Sequence, residues 1–118
     1  MERVIITDDD EVIFLNTDTD TCLYKAPCRE SLTIHSTSTN YIRGVDLYAH
    51  RDTLGRVYFY LHHWRLGQQI ADWIEPIERQ QALDFLLEKA KLIGAYSITE
   101  SEIEKSKEFG FSIQKETA

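Results

Sequence analysis

The run Val57-Tyr58-Phe59-Tyr60-Leu61-His62-His63-Trp64 constrains this chain more than any other segment. β-branched and aromatic residues dominate it, so it reads as a β-strand. Alternation puts Val57, Phe59, Leu61 and His63 on one face and Tyr58, Tyr60, His62 and Trp64 on the other. Both faces are apolar or aromatic. A sheet built on this strand must therefore be covered on both sides, or must present one side as a contact surface.

The neighbouring segments supply partners for it. Asp52-Thr53-Leu54-Gly55 is the clearest turn in the chain, with Gly55 placed to accept a positive φ. Before it, Ile42, Val45, Leu47, Tyr48 and Ala49 form a strand that Gly44 is expected to bend or bulge. Near the N-terminus, Val4-Ile5-Ile6 is a short apolar stretch broken by Asp8-Asp9-Asp10. Val12-Ile13-Phe14-Leu15 and Cys22-Leu23-Tyr24 flank the turn formers Asn16 to Asp20, which predicts a hairpin between those two segments. Leu32-Thr33-Ile34 and Ile70 to Glu75 read as further short strands, and Ser36 to Asn40 as a loop.

The period then changes. Leu83, Leu86, Leu87, Ala90 and Ile93 recur at helical spacing, with Gln80, Gln81, Asp84, Glu88 and Lys91 opposite. This predicts an amphipathic helix over 78–92, stopped by Gly94. Its N-cap, Glu78, is a poor one. Thr99-Glu100-Ser101-Glu102 is a capping box that opens a second helix, running to about Phe109 with Gly110 behind it. Phe111 to Ile113 reads as an edge strand or a docked tail.

The sequence thus predicts an α+β fold. It has an antiparallel sheet of five to six strands, one amphipathic helix packed on it and a second short helix at the C-terminal end. At 118 residues one domain is the natural reading, over 1–113, with 114–118 a flexible tail. A chain of this size buries about two thirds of its unfolded surface, enough for a core without staples.

The link Ile74-Glu75-Pro76-Ile77 and the segment Ala82-Leu83-Asp84-Phe85-Leu86 follow the aromatic strand. From Gly55 to Leu92 this order resembles a loose group of small uncharacterised bacterial and archaeal proteins, some on mobile elements. These have a glycine turn, an aromatic strand ending in His and Trp, a proline link and a short helix. The chain departs from the group where Glu78 replaces the usual Ser or Thr cap. The resemblance supports the order sheet-then-helix and implies no activity, because the group has none assigned.

The formal net charge is −7, and residues 1–59 carry ten acids against six bases. A field of this sign opposes nonspecific binding to nucleic acid. No apolar run reaches the length of a membrane span, and the N-terminus has no signal-peptide pattern, so a cytoplasmic location is expected. Cys22 and Cys28 are then buried thiols.

Chemical motifs are sparse. His35, His50, His62 and His63 lack the spacing of a zinc site, and the adjacent pair points to opposite faces. Asn16, Asp18 and Asp20 mimic the start of a calcium loop, but Thr21 stands where Gly is needed and Pro27 where Glu is needed. Asp8 to Glu11 reads as a solvated turn. No phosphate loop, dinucleotide fingerprint, nucleophile elbow or HExxH is present. No enzyme activity, metal or cofactor is expected.

Three readings of the Tyr58, Tyr60, His62 and Trp64 face stay open. The preferred one is a protein interface, self-associating as a homodimer or binding a protein partner, because Tyr and Trp combine apolar area with a polar tip. The second is internal coverage by the N-terminal hairpin or the C-terminal helix. The third is a stacking platform for single-stranded nucleic acid, with Arg43, Arg56 and Arg65 as phosphate contacts. A variant of the interface reading uses the acids Asp8 to Glu11 and those of the second helix to mimic nucleic acid, although Lys105 and Lys107 interrupt the latter.

Overall fold

The computed structural model describes residues 1–27, 43–65 and 72–115. The predicted strand at Leu32 to Ile34, the loop at Ser36 to Asn40, Cys28 and His35 lie outside the described residues, as does the end of the predicted tail, 116–118.

The aromatic strand is β5, Val57–Arg65, and it is central. It pairs antiparallel with β4, Arg43–Arg51, in unbroken register from Arg43↔Arg65 to Arg51↔Val57. The turn between them forms as its residue types require. Asp52 O accepts from Gly55 N, and Asp52 Oδ1 accepts from the N–H groups of Leu54 and Arg56. Gly55 has φ 83°, where an L side chain would be strained. On the other side β5 pairs with β6, Trp73–Ile77. This strand runs through Pro76, which an edge strand tolerates because no ladder partner needs its missing N–H. β3, Thr21–Tyr24, pairs with β4 and completes a four-stranded sheet in the order β3-β4-β5-β6.

The remaining two strands form a separate ribbon. β1, Glu2–Ile6, pairs antiparallel with β2, Val12–Asn16. The acidic run closes their turn: Thr7 N donates to Glu11 O, Asp10 N donates to Thr7 O, and Asp10 takes φ 60°. The hairpin expected between Val12–Leu15 and Cys22–Tyr24 is thus corrected. The polar segment Asn16 to Asp20 is a corner between two sheets, and β2 finds its partner upstream.

Both predicted helices are present. α1 is Arg79–Ala90 and α2 is Glu100–Lys107. Glu78 N donates to the Gln81 side chain, so the glutamine compensates for the poor cap. Thr99 caps α2 by accepting from Glu102 N, while the Glu102 carboxylate accepts from Thr99 N. Gly94 and Gly110, with φ 83° and 86°, follow the two helices.

The helices and the docked tail cover one face of the four-stranded sheet. Leu47, Phe59, Leu86, Ile98, Phe111 and Ile113 belong to this larger core. Ile13 and Leu15 of the ribbon cover the other face, packing with Tyr48, Tyr60 and Ile74. Gly44 produces no bulge, since the β4–β5 register is continuous there. The irregularity lies instead between Cys22 and Tyr24.

Candidate functional site

The face expected to be an exposed contact surface is closed by the chain itself. Tyr60 and Trp64 are buried, and Tyr58 and His62 are half-buried. The physical reason is the corner at Asn16 to Asp20. Asp20 Oδ2 accepts from Tyr60 OH at 2.7 Å and from Asn16 N at 2.9 Å. Asp20 Oδ1 lies 2.7 Å from His50 Nδ1. One carboxylate thereby ties the end of the ribbon to the middle of the large sheet. Burial and the bond to Asp20 push the Tyr60 phenol well above its ordinary pKa. Tyr48 and Tyr60 stack at 5.4 Å with their planes 7° apart.

Trp64 is held differently from Tyr60. It belongs to the larger core together with Ala26, and its Nε1 donates to Asp46 Oδ1 at 3.0 Å. Asp46 is fully buried and also accepts from Ala26 N and Lys25 Nζ. His62 Nε2 sits 3.1 Å from Asp72 Oδ2, with Nδ1 3.9 Å from Asp46 Oδ2. The residues of this face therefore serve two structural networks, one on Asp20 and one on Asp46. Tyr60→Phe is expected to cost about 1–2 kcal/mol, because the buried Asp20 loses a donor. Urea denaturation measures it, and an unchanged midpoint would refute the structural assignment.

The three candidate arginines do not act together. Arg43 and Arg65 are direct cross-strand partners at one end of the sheet. Arg56 follows the turn at the other end, roughly 30 Å along the strands. There it is ion-paired with Glu11 and Asp52, whose carboxylates raise its pKa. The grouping of Arg56 with Arg43 and Arg65 is thus corrected.

The exposed apolar surface lies elsewhere, on the ribbon's outer face. Val4 opposes Phe14 and Ile6 opposes Val12. Their exposures are 52%, 67%, 71% and 51%. Phe14 and Val12 also line a cleft of about 430 Å³ with Leu54, which is 73% exposed. Sequence reasoning could not find this surface. β2 reads Val-Ile-Phe-Leu, apolar on both faces, so alternation does not say which face is inside.

Among the described residues no three His, Cys, Asp or Glu side chains are grouped to hold a metal ion, and no helix is long and apolar enough to cross a membrane. Cys22 is half-buried, with its thiol pKa raised by burial and by the nearby Asp46. No protein-family model, curated protein or solved structure matches the chain.

Proposed function

We propose that the protein is a small non-catalytic interaction module that self-associates through the outer face of the β1–β2 ribbon. The observation that carries this reading is the in-register apolar quartet Val4, Phe14, Ile6 and Val12, left uncovered on a ribbon whose inner face is already used. With Leu54 it offers on the order of 500–600 Å² of apolar area, at the upper end for a monomer's largest patch.

The occupant is a second copy of this chain. A flat two-stranded face is self-complementary under a two-fold axis, as an isologous interface requires. Facing ribbons with a polar rim approach roughly 800 Å² per partner, the size of a standard stable interface. Charge selects the arrangement. Asp8, Asp9 and Asp10 are exposed at the ribbon's tip. Antiparallel facing ribbons send the two acidic tips to opposite ends, whereas parallel ones bring them together.

Light scattering after size exclusion, over a concentration series, tests the proposal. The wild type is expected to be dimeric at tens of micromolar, a range that an interface of this size supports. Phe14→Glu is expected to run as a monomer with an unchanged far-ultraviolet spectrum. A wild type that stays monomeric at millimolar concentration, or a Phe14→Glu variant that stays dimeric, overturns it.

A further inference from the structure

The β1–β2 ribbon has an open backbone edge as well as an open face. Thr7 N donates to Glu11 O at one end of the ribbon, and Thr17 N donates to Met1 O at the other. Antiparallel partners alternate between bonded and non-bonded pairs. The register therefore makes Ile5↔Ile13 and Arg3↔Leu15 the bonded pairs. The N–H and C=O groups of Val12 and Phe14 then point away from β1. The ribbon has two strands, so no described strand pairs with these four groups. We infer that the free edge of β2 is a strand-addition site for an extended, uncharged segment of a partner protein.

The cleft of about 430 Å³ runs beside this edge. It is bordered by Glu11, by the first three residues of β2, and by the end of β4 with the turn after it. Successive strand residues point to opposite faces, so a cleft that touches Val12, Ile13 and Phe14 together lies along the strand's edge. Four residues of strand span about 13 Å, the reach of an extended tetrapeptide. Leu54 stands exposed at the cleft, so a strand laid against β2 buries it while pairing the backbone. The β6 edge of the large sheet is closed to the same event. Pro76 has no N–H to offer, and Arg3 Nη1 donates to Ile74 O.

Charge and space select the occupant. Glu11 and Asp52 are both ion-paired with Arg56, and Arg51 is the second cation at the cleft. Two carboxylates and two guanidinium groups leave it without formal charge, so an uncharged segment suits it. Main-chain bonds supply the affinity of an added strand, and its alternate side chains supply the specificity. A second copy of this chain does not fit the same place. Its β2 carries its own large sheet beneath it, on the side that Thr53 and Leu54 of the first copy hold. A single extended strand brings no such layer. Strand addition does not rest on self-association through the ribbon's outer face, which uses side chains where the edge uses backbone.

Selection from a displayed library of random octapeptides, followed by amide hydrogen exchange of the complex, tests the site. The expected result is enrichment of peptides without net charge that carry apolar residues at alternate positions. The bound peptide should protect the Val12 and Phe14 amides and leave the Ile13 amide, already in the ladder, unchanged. Methylating every second peptide nitrogen should weaken binding about tenfold or more in one phase and little in the other. Val12→Pro removes an outward N–H and spares the β1 ladder, and it should weaken binding about tenfold. The methylated peptides leave the protein intact, so the outcome does not depend on how the proline variant folds. Ile6→Glu, on the far strand, should lose self-association and keep peptide binding, so the two readings fail separately. An unenriched library, or binders indifferent to methylation in both phases, overturns the assignment. So does protection of the Val12 and Phe14 amides in the protein alone as its concentration rises, which would make a second copy the occupant.

Discussion

Asp46→Ala is expected to destabilise the protein by about 3–5 kcal/mol, the sum of two buried donors left without acceptors and the cavity beside them. Asp46 is fully buried in β4. Its Oδ1 accepts from Ala26 N at 2.8 Å and from Trp64 Nε1 at 3.0 Å, and its Oδ2 accepts from Lys25 Nζ at 2.7 Å. Alanine leaves the buried Ala26 N–H and the indole N–H without acceptors, and adds a cavity beside the ring. Lys25 is more than half exposed and recovers solvation when its partner goes, so most of the loss comes from the two neutral donors.

Asparagine separates these contributions. Its carbonyl can keep the Ala26 and Trp64 bonds, while its amide meets the Lys25 ammonium donor to donor. Asp46→Asn should therefore cost less, about 1–2 kcal/mol. Chemical denaturation of the three proteins, with the m-value checked for constancy, measures both. Equal losses in Ala and Asn would show that the charge, not the acceptor geometry, matters. A loss for Ala below about 1 kcal/mol would refute the hub assignment altogether.

Local structure in this chain was legible from local chemistry. The Asp52–Gly55 turn, the capping box at Thr99 and the helical period over Leu83, Leu86 and Ala90 each rest on contacts within a few residues, and each formed as read. The aromatic strand was legible for the same reason. Pairing was less so. Asn16 to Asp20 has the composition of a hairpin turn, and nothing within it says that Asp20 will bind Tyr60 and His50 rather than close a ladder. Those partners lie 40 and 30 residues away. The acidic turn Asp8 to Glu11 was legible as a turn but not as the link of the ribbon.

The site suffered from the same gap. The residues of β5 left two outcomes for its second face, coverage by the chain or exposure as a contact surface, and the preferred exposure is the one the structure corrects. Which segment covers the second face depends on the Asp20 corner, and once the ribbon takes that role the free apolar surface moves to the ribbon's far side. Trp73 stood in a segment read only as a short strand. Its stacking on His63 arises from the rung the two share, and that register is a tertiary fact.

Gly44→Ala is expected to cost about 3 kcal/mol, at the upper end of the usual range for overpacking a filled core. The reason is contact, not backbone conformation, since no left-handed φ is recorded at Gly44 and β4 runs through it in regular register. A Cβ there would stand 2.3 Å from Trp64 Cζ2, 2.6 Å from Trp64 Cε2 and 2.9 Å from the Ala26 Cβ. Carbon atoms pack at about 3.5–4.0 Å, so the indole must move by more than an ångström. It cannot do so freely, because Trp64 Nε1 is tied to Asp46 and the ring is buried. Removing the ring should remove the penalty. In a Trp64→Leu background the same Gly44→Ala change is expected to cost under about 1 kcal/mol, so a double-mutant cycle should return a coupling near the whole single-site loss. Gly55→Ala is the contrast. Nothing lies within 4 Å of its would-be Cβ, and its φ of 83° alone sets the cost, about 1 kcal/mol. Its loss should be the same with Trp or Leu at position 64. If Gly44→Ala is equally indifferent to that position, the close approach of strand and indole is not what glycine provides there.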